Sequence, residues 1–246
     1  MPEAASNEPS IYDSTAEYYD LTSSERVASL RPDVERWASD LPAGLPVIDV
    51  GAGTGRLTAV LARAGSSDVH AVEPSFAMRA IMASRLADDE ELAHRVTIVS
   101  SPTPAAWGRL PEVVGGVMML GALMHLTPED RRALLAAIAA RLTPMGSAFV
   151  ELMPPWSPAP VHRQEFAVVR CGRHVIRAET VAEPVGAALD WTMTYRRFDA
   201  TGSVLDETTS SVRCWPLHPD AFEAETAAAG LTLEWRSETL ALLRGR

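Results

Sequence analysis

There is no lysine in this chain of 246 residues; all 22 of its basic side chains are arginine. That absence removes Schiff-base catalysis, which needs a lysine amine, and the Gly-Lys-Ser/Thr of a phosphate-binding P-loop. Cysteine is scarce as well. Cys171 and Cys214 are the only two, too few for a disulfide framework or a C-x-x-C zinc site. The six histidines are scattered, with His162 and His174 expected on the surface, so no metal site is expected. Positive charge is outnumbered: 22 arginines face 32 acids, a net charge of −10. Nothing therefore drives the chain toward a polyanion, and no nucleic-acid partner is expected. No run of about 18 apolar residues and no charged-then-apolar leader occurs, so the expectation is a cytoplasmic protein that engages no membrane.

What is present concentrates in Val47-Ile48-Asp49-Val50-Gly51-Ala52-Gly53-Thr54-Gly55-Arg56. A β-prone apolar run leads into three glycines on alternate residues, and an apolar helical pattern follows. This predicts a buried parallel strand ending at Val50, then a glycine turn that hands over to a helix. A second acid, Glu73, closes the next apolar run 22 positions after Gly51. At that distance a carboxylate can reach a ribose diol. The spacing is not the dinucleotide G-x-G-x-x-G/A, whose third small residue would fall on Arg56. It is D-x-G-x-G-x-G. A carboxylate at Asp49 would repel a pyrophosphate but suits a ligand carrying an ammonium and a sulfonium, which is the chemistry of S-adenosylmethionine.

Along the chain, residues 11–21 and 31–41 carry helical patterns. Strands and helices then alternate over 47–50, 55–64, 69–73, 75–86, 96–100, 114–120, 128–142 and 147–152, which predicts a parallel sheet covered on both faces. Thr127-Pro128-Glu129-Asp130 is a helix start, with a capping threonine, proline in the first turn and early acids. A proline-rich connector from Met153 to Pro160 precedes four strand candidates at 165–170, 173–183, 188–199 and 203–215, read as an inserted antiparallel sheet. A helix over 219–229 and two closing strands, 231–237 and 239–243, complete the chain. The expected fold is α/β: a Rossmann-like, doubly wound, seven-stranded sheet with an antiparallel β insertion after strand five. The expected units are lid helices at 1–40, a core at 41–152, a platform at 153–215, and the closing helix and strand pair of the core at 216–246.

On the motif from Val47 to Gly55 the chain resembles the class I S-adenosylmethionine-dependent methyltransferases. The opening Tyr12-Asp13-x-x-Ala16-x-x-Tyr19-Asp20 is similar to the N-terminal lid of their small-molecule members, including those that N-methylate amino sugars. The resemblance implies S-adenosylmethionine as cofactor and a small-molecule partner, with a specialised metabolite as the expected kind. It also implies that the inserted strands form a substrate platform, which in some members is a dimer surface, so a homodimer is a further expectation. Gly51, Gly53 and Gly55 are then expected to pass the methionine portion and ribose, Asp49 to hold the amino group, and Glu73 to accept the ribose hydroxyls. Tyr12 and Tyr19 are expected to close over the cofactor, and Pro74, Met78 and Leu120 to line its pocket. The family often places acids after strand three and near the start of strand four. Here Ser100-Ser101-Pro102 and Val113-Val114-Gly115-Gly116 stand instead, leaving backbone groups or Ser101 to hold adenine.

Methyl transfer needs an in-line nucleophile, an apolar enclosure and, for some acceptors, removal of a proton. His125, just beyond the fourth strand at the carboxyl edge of the sheet, is the candidate base; packing at the loop is its alternative role. Glu151, at the end of strand five, faces the same rim and is expected to orient an amine or hydroxyl. Trp156, Trp191 and Tyr195 are expected to line an aromatic acceptor site or, equally, to pack the platform. Nitrogen, oxygen and carbon acceptors all remain open. So do two rivals on the same fold: a protein that uses the sulfonium without methylating, and a regulatory binding module.

Overall fold

A computed structural model describes residues 11–65, 67–103 and 105–246. A 3-10 turn, Ile11–Asp13, opens it, followed by α1 (Ala16–Thr22) and α2 (Ser24–Ser39). The core alternates β1 (Val47–Val50), α3 (Arg56–Ala64), β2 (Val69–Val72), α4 (Phe76–Ala87), α5 (Glu90–Arg95), β3 (Val96–Val99), β4 (Val114–Met119), α6 (Pro128–Arg141) and β5 (Leu142–Glu151). Four long strands follow, β6 (Val161–Cys171), β7 (His174–Val185), β8 (Ala188–Phe198) and β9 (Val204–Cys214). The chain closes with α7 (Pro219–Ala228), β10 (Leu231–Trp235) and β11 (Leu240–Gly245).

The main sheet has seven strands in the order β10-β11-β5-β4-β1-β2-β3. The run from β5 to β3 is parallel, while β11 lies antiparallel to both β5 and β10. The chain leaves β1 toward β2 and β3 on one side and crosses to β4 and β5 on the other. The strand order therefore reverses at β1 and β4, and in open α/β sheets the crevice at that reversal receives ligands. Every residue of β1 and of β4 is buried, as strands covered on both faces must be.

Two apolar clusters fill the two faces. One gathers Ile48, Val117, Leu134, Ile138, Val150 and Phe222, under α6 and α7. The other gathers Val34, Trp37, Val47, Leu61, Met82 and Phe149, under α2, α3 and α4. The inserted strands form a separate antiparallel sheet, β6-β7-β8-β9, joined to the lid through a small cluster of Tyr18, Ile176, Ala178 and Tyr195. Among the described residues no helix is long and apolar enough to cross a membrane.

The expected class and the insertion after strand five are both found. Three local readings change. The second helix begins at Ser24 rather than 31, with Pro32 inside it, because Leu30, Val34, Trp37 and Ala38 bury one long stripe against the sheet. Strand five starts at Leu142, five residues early, across a register shift opposite Val114 and Gly116. The polar run Glu90–Arg95 is a short helix, capped by Asp89, whose side chain accepts from the N–H of Leu92.

Candidate active site

The three motif glycines bend the chain away from β1. All take positive φ, 75°, 57° and 77° at Gly51, Gly53 and Gly55, a region that side chains resist. Two of them also lack room for one. A Cβ on Gly51 would lie 2.8 Å from that of Ala122, and a Cβ on Gly55 would lie 2.5 Å from Cγ of Met82. The turn is thus pressed between β4's exit loop and α4, which brings backbone to the rim of the crevice.

Asp49 sits in the middle of buried β1 and is only 3% exposed. Thr58 Oγ1 donates to its Oδ2 at 2.6 Å, but burial outweighs that bond and raises the carboxyl to about 7. Asp49 lines a small cavity of about 40 Å³ together with Tyr19, Arg26, Leu120 and residues 51–54. Arg26 brings a guanidinium to the same cavity, and its Nε is buried without a partner. Its terminal nitrogen pairs with Glu151 at the end of β5. A carboxylate and a guanidinium on one cavity suit the ammonium and carboxylate of an amino acid.

Glu73, at the end of β2, is 5% exposed. The N–H of Gly53 donates to its Oε2 at 2.9 Å and the N–H of Ser75 to its Oε1 at 2.7 Å. Burial still pushes the carboxyl up, against both bonds. Each carboxylate oxygen accepts about two hydrogen bonds, so one lone pair on each remains for a diol. Nearby, Met78 is buried but joins neither main cluster, Ser101 is buried at the exit of β3, and Pro74 is exposed on the rim.

The lid lies over this crevice. Tyr12 and Tyr19 meet edge to face with centroids 5.8 Å apart, and Tyr12 meets the His125 ring in the same way at 5.8 Å. The Tyr12 hydroxyl and His125 Nε2 share a hydrogen bond at 3.0 Å, while His125 Nδ1 lies 3.9 Å from the Cys214 sulfur. Burial lowers His125 to about 4 and raises the Cys214 thiol to about 12. It also holds both tyrosines above their ordinary range. Imidazole, thiol and phenols are accordingly all uncharged near neutral pH.

The platform presents one face to the lid. Tyr195 stacks on Tyr18 at 5.0 Å with planes 7° apart, and the Tyr18 hydroxyl donates to Asp206 at 2.8 Å. By the alternation of β8, Trp191 and Met193 share the face of Tyr195, and Cys214 of β9 pairs opposite Leu189 at its end. Buried Ser210, opposite Met193, has no hydrogen-bond partner for its hydroxyl.

The structure therefore brings Tyr12, Tyr19, Asp49, Gly51, Gly53, Gly55, Glu73, Leu120 and His125 to one crevice. Trp156 packs half-buried against the apolar cluster that also holds Leu123, beside His125. Glu151 is engaged by Arg26 rather than standing open to an acceptor. Arg26 itself went unread in the sequence. The polar run Ser23-Ser24-Glu25 ahead of it reads as loop, and its place follows from how α2 crosses the loop after β4.

Residues 47–146 match a family model described as a methyltransferase domain. No curated protein sequence matches the chain significantly. Among solved structures the chain is similar over nearly its whole length to DesVI of Streptomyces venezuelae, with 21% identity, a TM-score of 0.74, and coverage of 97% of this chain and 100% of that one. It is similar to CalS10, an amino pentose methyltransferase from Micromonospora echinaspora involved in calicheamicin biosynthesis, at 19% identity, TM-score 0.69 and coverage of 99% and 100%. It is also similar to the sugar N-methyltransferase KedS8 from a Streptoalloteichus species, at 19% identity, TM-score 0.68 and coverage of 100% and 97%. The fold is that of the class I methyltransferases. Residues 47–146 carry a methyltransferase domain, and the protein is an enzyme whose methyl donor is S-adenosylmethionine.

Proposed function

We propose that the protein methylates an amine nitrogen of a small molecule, with specialised metabolism as its setting. The observation that carries this reading is the state of His125. Its Nε2 is tied to Tyr12 and its surroundings are apolar enough to hold it at about 4. An imidazole that weakly basic is a poor general base for a hydroxyl acceptor, since efficient proton transfer wants a pKa near the working pH. An amine needs no base beyond solvent, because its free form is already the nucleophile. The similarity to a sugar N-methyltransferase and an amino pentose methyltransferase points the same way.

When bound, S-adenosylmethionine supplies a methyl group already activated by the sulfonium. The residues present fit it. Asp49 holds the ammonium, Arg26 the carboxylate and Glu73 the ribose diol, while Gly51, Gly53 and Gly55 let the backbone come close. Met78, Pro74 and Ser101 enclose the adenine end, and Leu120 lines the methionine end beside Asp49 and Arg26. Tyr12 and Tyr19 roof the crevice and exclude water, and Glu151 keeps Arg26 in place. Tyr12 and His125 orient the acceptor nitrogen from one side, with Trp191 of the platform on the other and Tyr195 packed behind it against Tyr18. Holding the partners in near-attack geometry supplies roughly 7–11 kcal/mol of barrier reduction.

The test is incubation with isotopically labelled S-adenosylmethionine and a panel of matched amino- and hydroxy-sugar acceptors, read by mass spectrometry. Labelled methyl on the amines alone is the expected result. Transfer only to the hydroxyl partners would overturn the nitrogen assignment.

A further inference from the structure

The dipeptide Tyr-Asp occurs twice in the lid, at Tyr12-Asp13 and Tyr19-Asp20, seven residues apart. The crevice uses the tyrosines; the aspartates point to a second task. Asp13 Oδ1 accepts from Ser75 Oγ at 2.6 Å and from the N–H of Ala77 at 3.2 Å, which sets a carboxylate on the first turn of α4. Asp20 accepts from Thr54 Oγ1 at 2.6 Å and from Arg85 at 2.5 Å. Its carbonyl accepts from Arg56 at 3.0 Å, and Arg85 Nε completes the circuit on the Thr54 carbonyl at 3.1 Å.

These two anchor points coincide with the two groups that aim Glu73. One oxygen of Glu73 is held by the N–H of Ser75, the residue Asp13 grips. The other is held by the N–H of Gly53, whose neighbour Thr54 is gripped by Asp20. Charge-assisted hydrogen bonds of this kind are short, strong and directional. Raising the lid would strip Ser75 and Thr54 of those acceptors and release both stretches of backbone that orient the carboxylate.

We propose that Asp13 and Asp20 are positioning residues that make lid closure and the aiming of Glu73 one event, so that the cofactor's ribose is gripped only with the lid down. The inference rests on Glu73 being the ribose ligand. It differs from a simple cover, which would slow escape of the cofactor without acting through Glu73.

A double-mutant cycle tests it, with S-adenosylhomocysteine as probe, its affinity read by calorimetry and its release by stopped flow. Asp20→Asn and Asp13→Asn should each speed release about tenfold in the parent protein, within the range by which coupled sites alter one another. In the Glu73→Ala background the same changes should alter release less than about twofold, because their target is gone. Arg85→Gln breaks the Asp20 contact from its other side and should repeat the result if Asp20→Asn folds poorly. Losses that simply multiply in the double variants would overturn the coupling. Hydrogen exchange of residues 11–22 with and without the probe separates the two readings. Protection in the parent protein with multiplying losses sinks the coupling alone, whereas no protection removes the closing lid and the proposal with it.

Discussion

Three side chains define the chemistry at the residue scale, and burial shifts the pKa of each. Asp49 at about 7 is the most consequential. An ammonium brought beside it favours the ionised form and draws its pKa back down, so binding releases a proton wherever free Asp49 is still protonated. Affinity for S-adenosylhomocysteine should therefore rise with pH from about 6 to about 8 and level off above, with proton release measurable by calorimetry in buffers of different ionisation enthalpy. A flat profile would mean that Asp49 does not meet the ammonium. Glu73→Ala removes an acceptor already aimed by two backbone N–H groups. It should weaken the same ligand by about 1.5–3 kcal/mol, the worth of hydrogen bonds to a charged group; unchanged affinity would remove Glu73 from the cofactor site. His125→Ala distinguishes proton transfer from orientation. With an amine acceptor kcat should fall less than about tenfold while cofactor affinity holds, and the rate of parent and variant alike should climb as pH frees the amine. A loss of about 10²–10⁴-fold would instead mark a general base.

Elements were legible in the sequence to the degree that their signals were local. β1, β2 and β4 announced themselves as short apolar runs ending in glycine or acid, and the helix start at Thr127 was readable from its cap. In the structure Thr127 Oγ1 accepts from the N–H of Asp130 at 3.1 Å and donates to that residue's carboxylate at 2.7 Å. Thr127→Ala should lower stability by about 1 kcal/mol, seen as a lower denaturation midpoint, with affinity for S-adenosylhomocysteine unchanged. What stayed hidden was set by tertiary contact. The first half of α2, Ser24–Leu30, is polar enough to read as loop, and Pro32 looks like a helix start. Its helicity is fixed by Arg26 reaching Glu151 and by Leu30 packing beneath it. The same blindness hid Arg26 from the candidate site. Tyr18 sits between two lid tyrosines in sequence, yet it turns the other way to stack on Tyr195, a choice made by a platform strand some 177 residues distant.

The whole molecule carries a balance between two of these buried groups. Asp49 has a folded pKa near 7 against about 3.9 for a free carboxyl. Between those limits the folded state binds more protons than the unfolded, so this group makes stability fall as pH rises. His125 has a folded pKa near 4 against about 6.5 for a free imidazole. Over that window the unfolded state binds more protons, so His125 makes stability rise with pH. The windows overlap from about pH 4 to about 6.5 with opposite signs, and Glu73, also raised by burial, leans with Asp49. The protein without cofactor should thus lose stability only gently as pH rises across about pH 4.5–6.5, His125 offsetting part of what the two acids impose. Saturating S-adenosylhomocysteine stabilises the ionised acids and cancels their side of the balance, so the melting temperature of the complex should climb with pH over that range. His125→Asn removes the other side, and its cofactor-free form should lose stability steadily as pH rises. Calorimetric melts of both proteins, with and without ligand, read all three slopes. Parallel profiles in every case would show that neither group changes its protonation on folding as its burial implies.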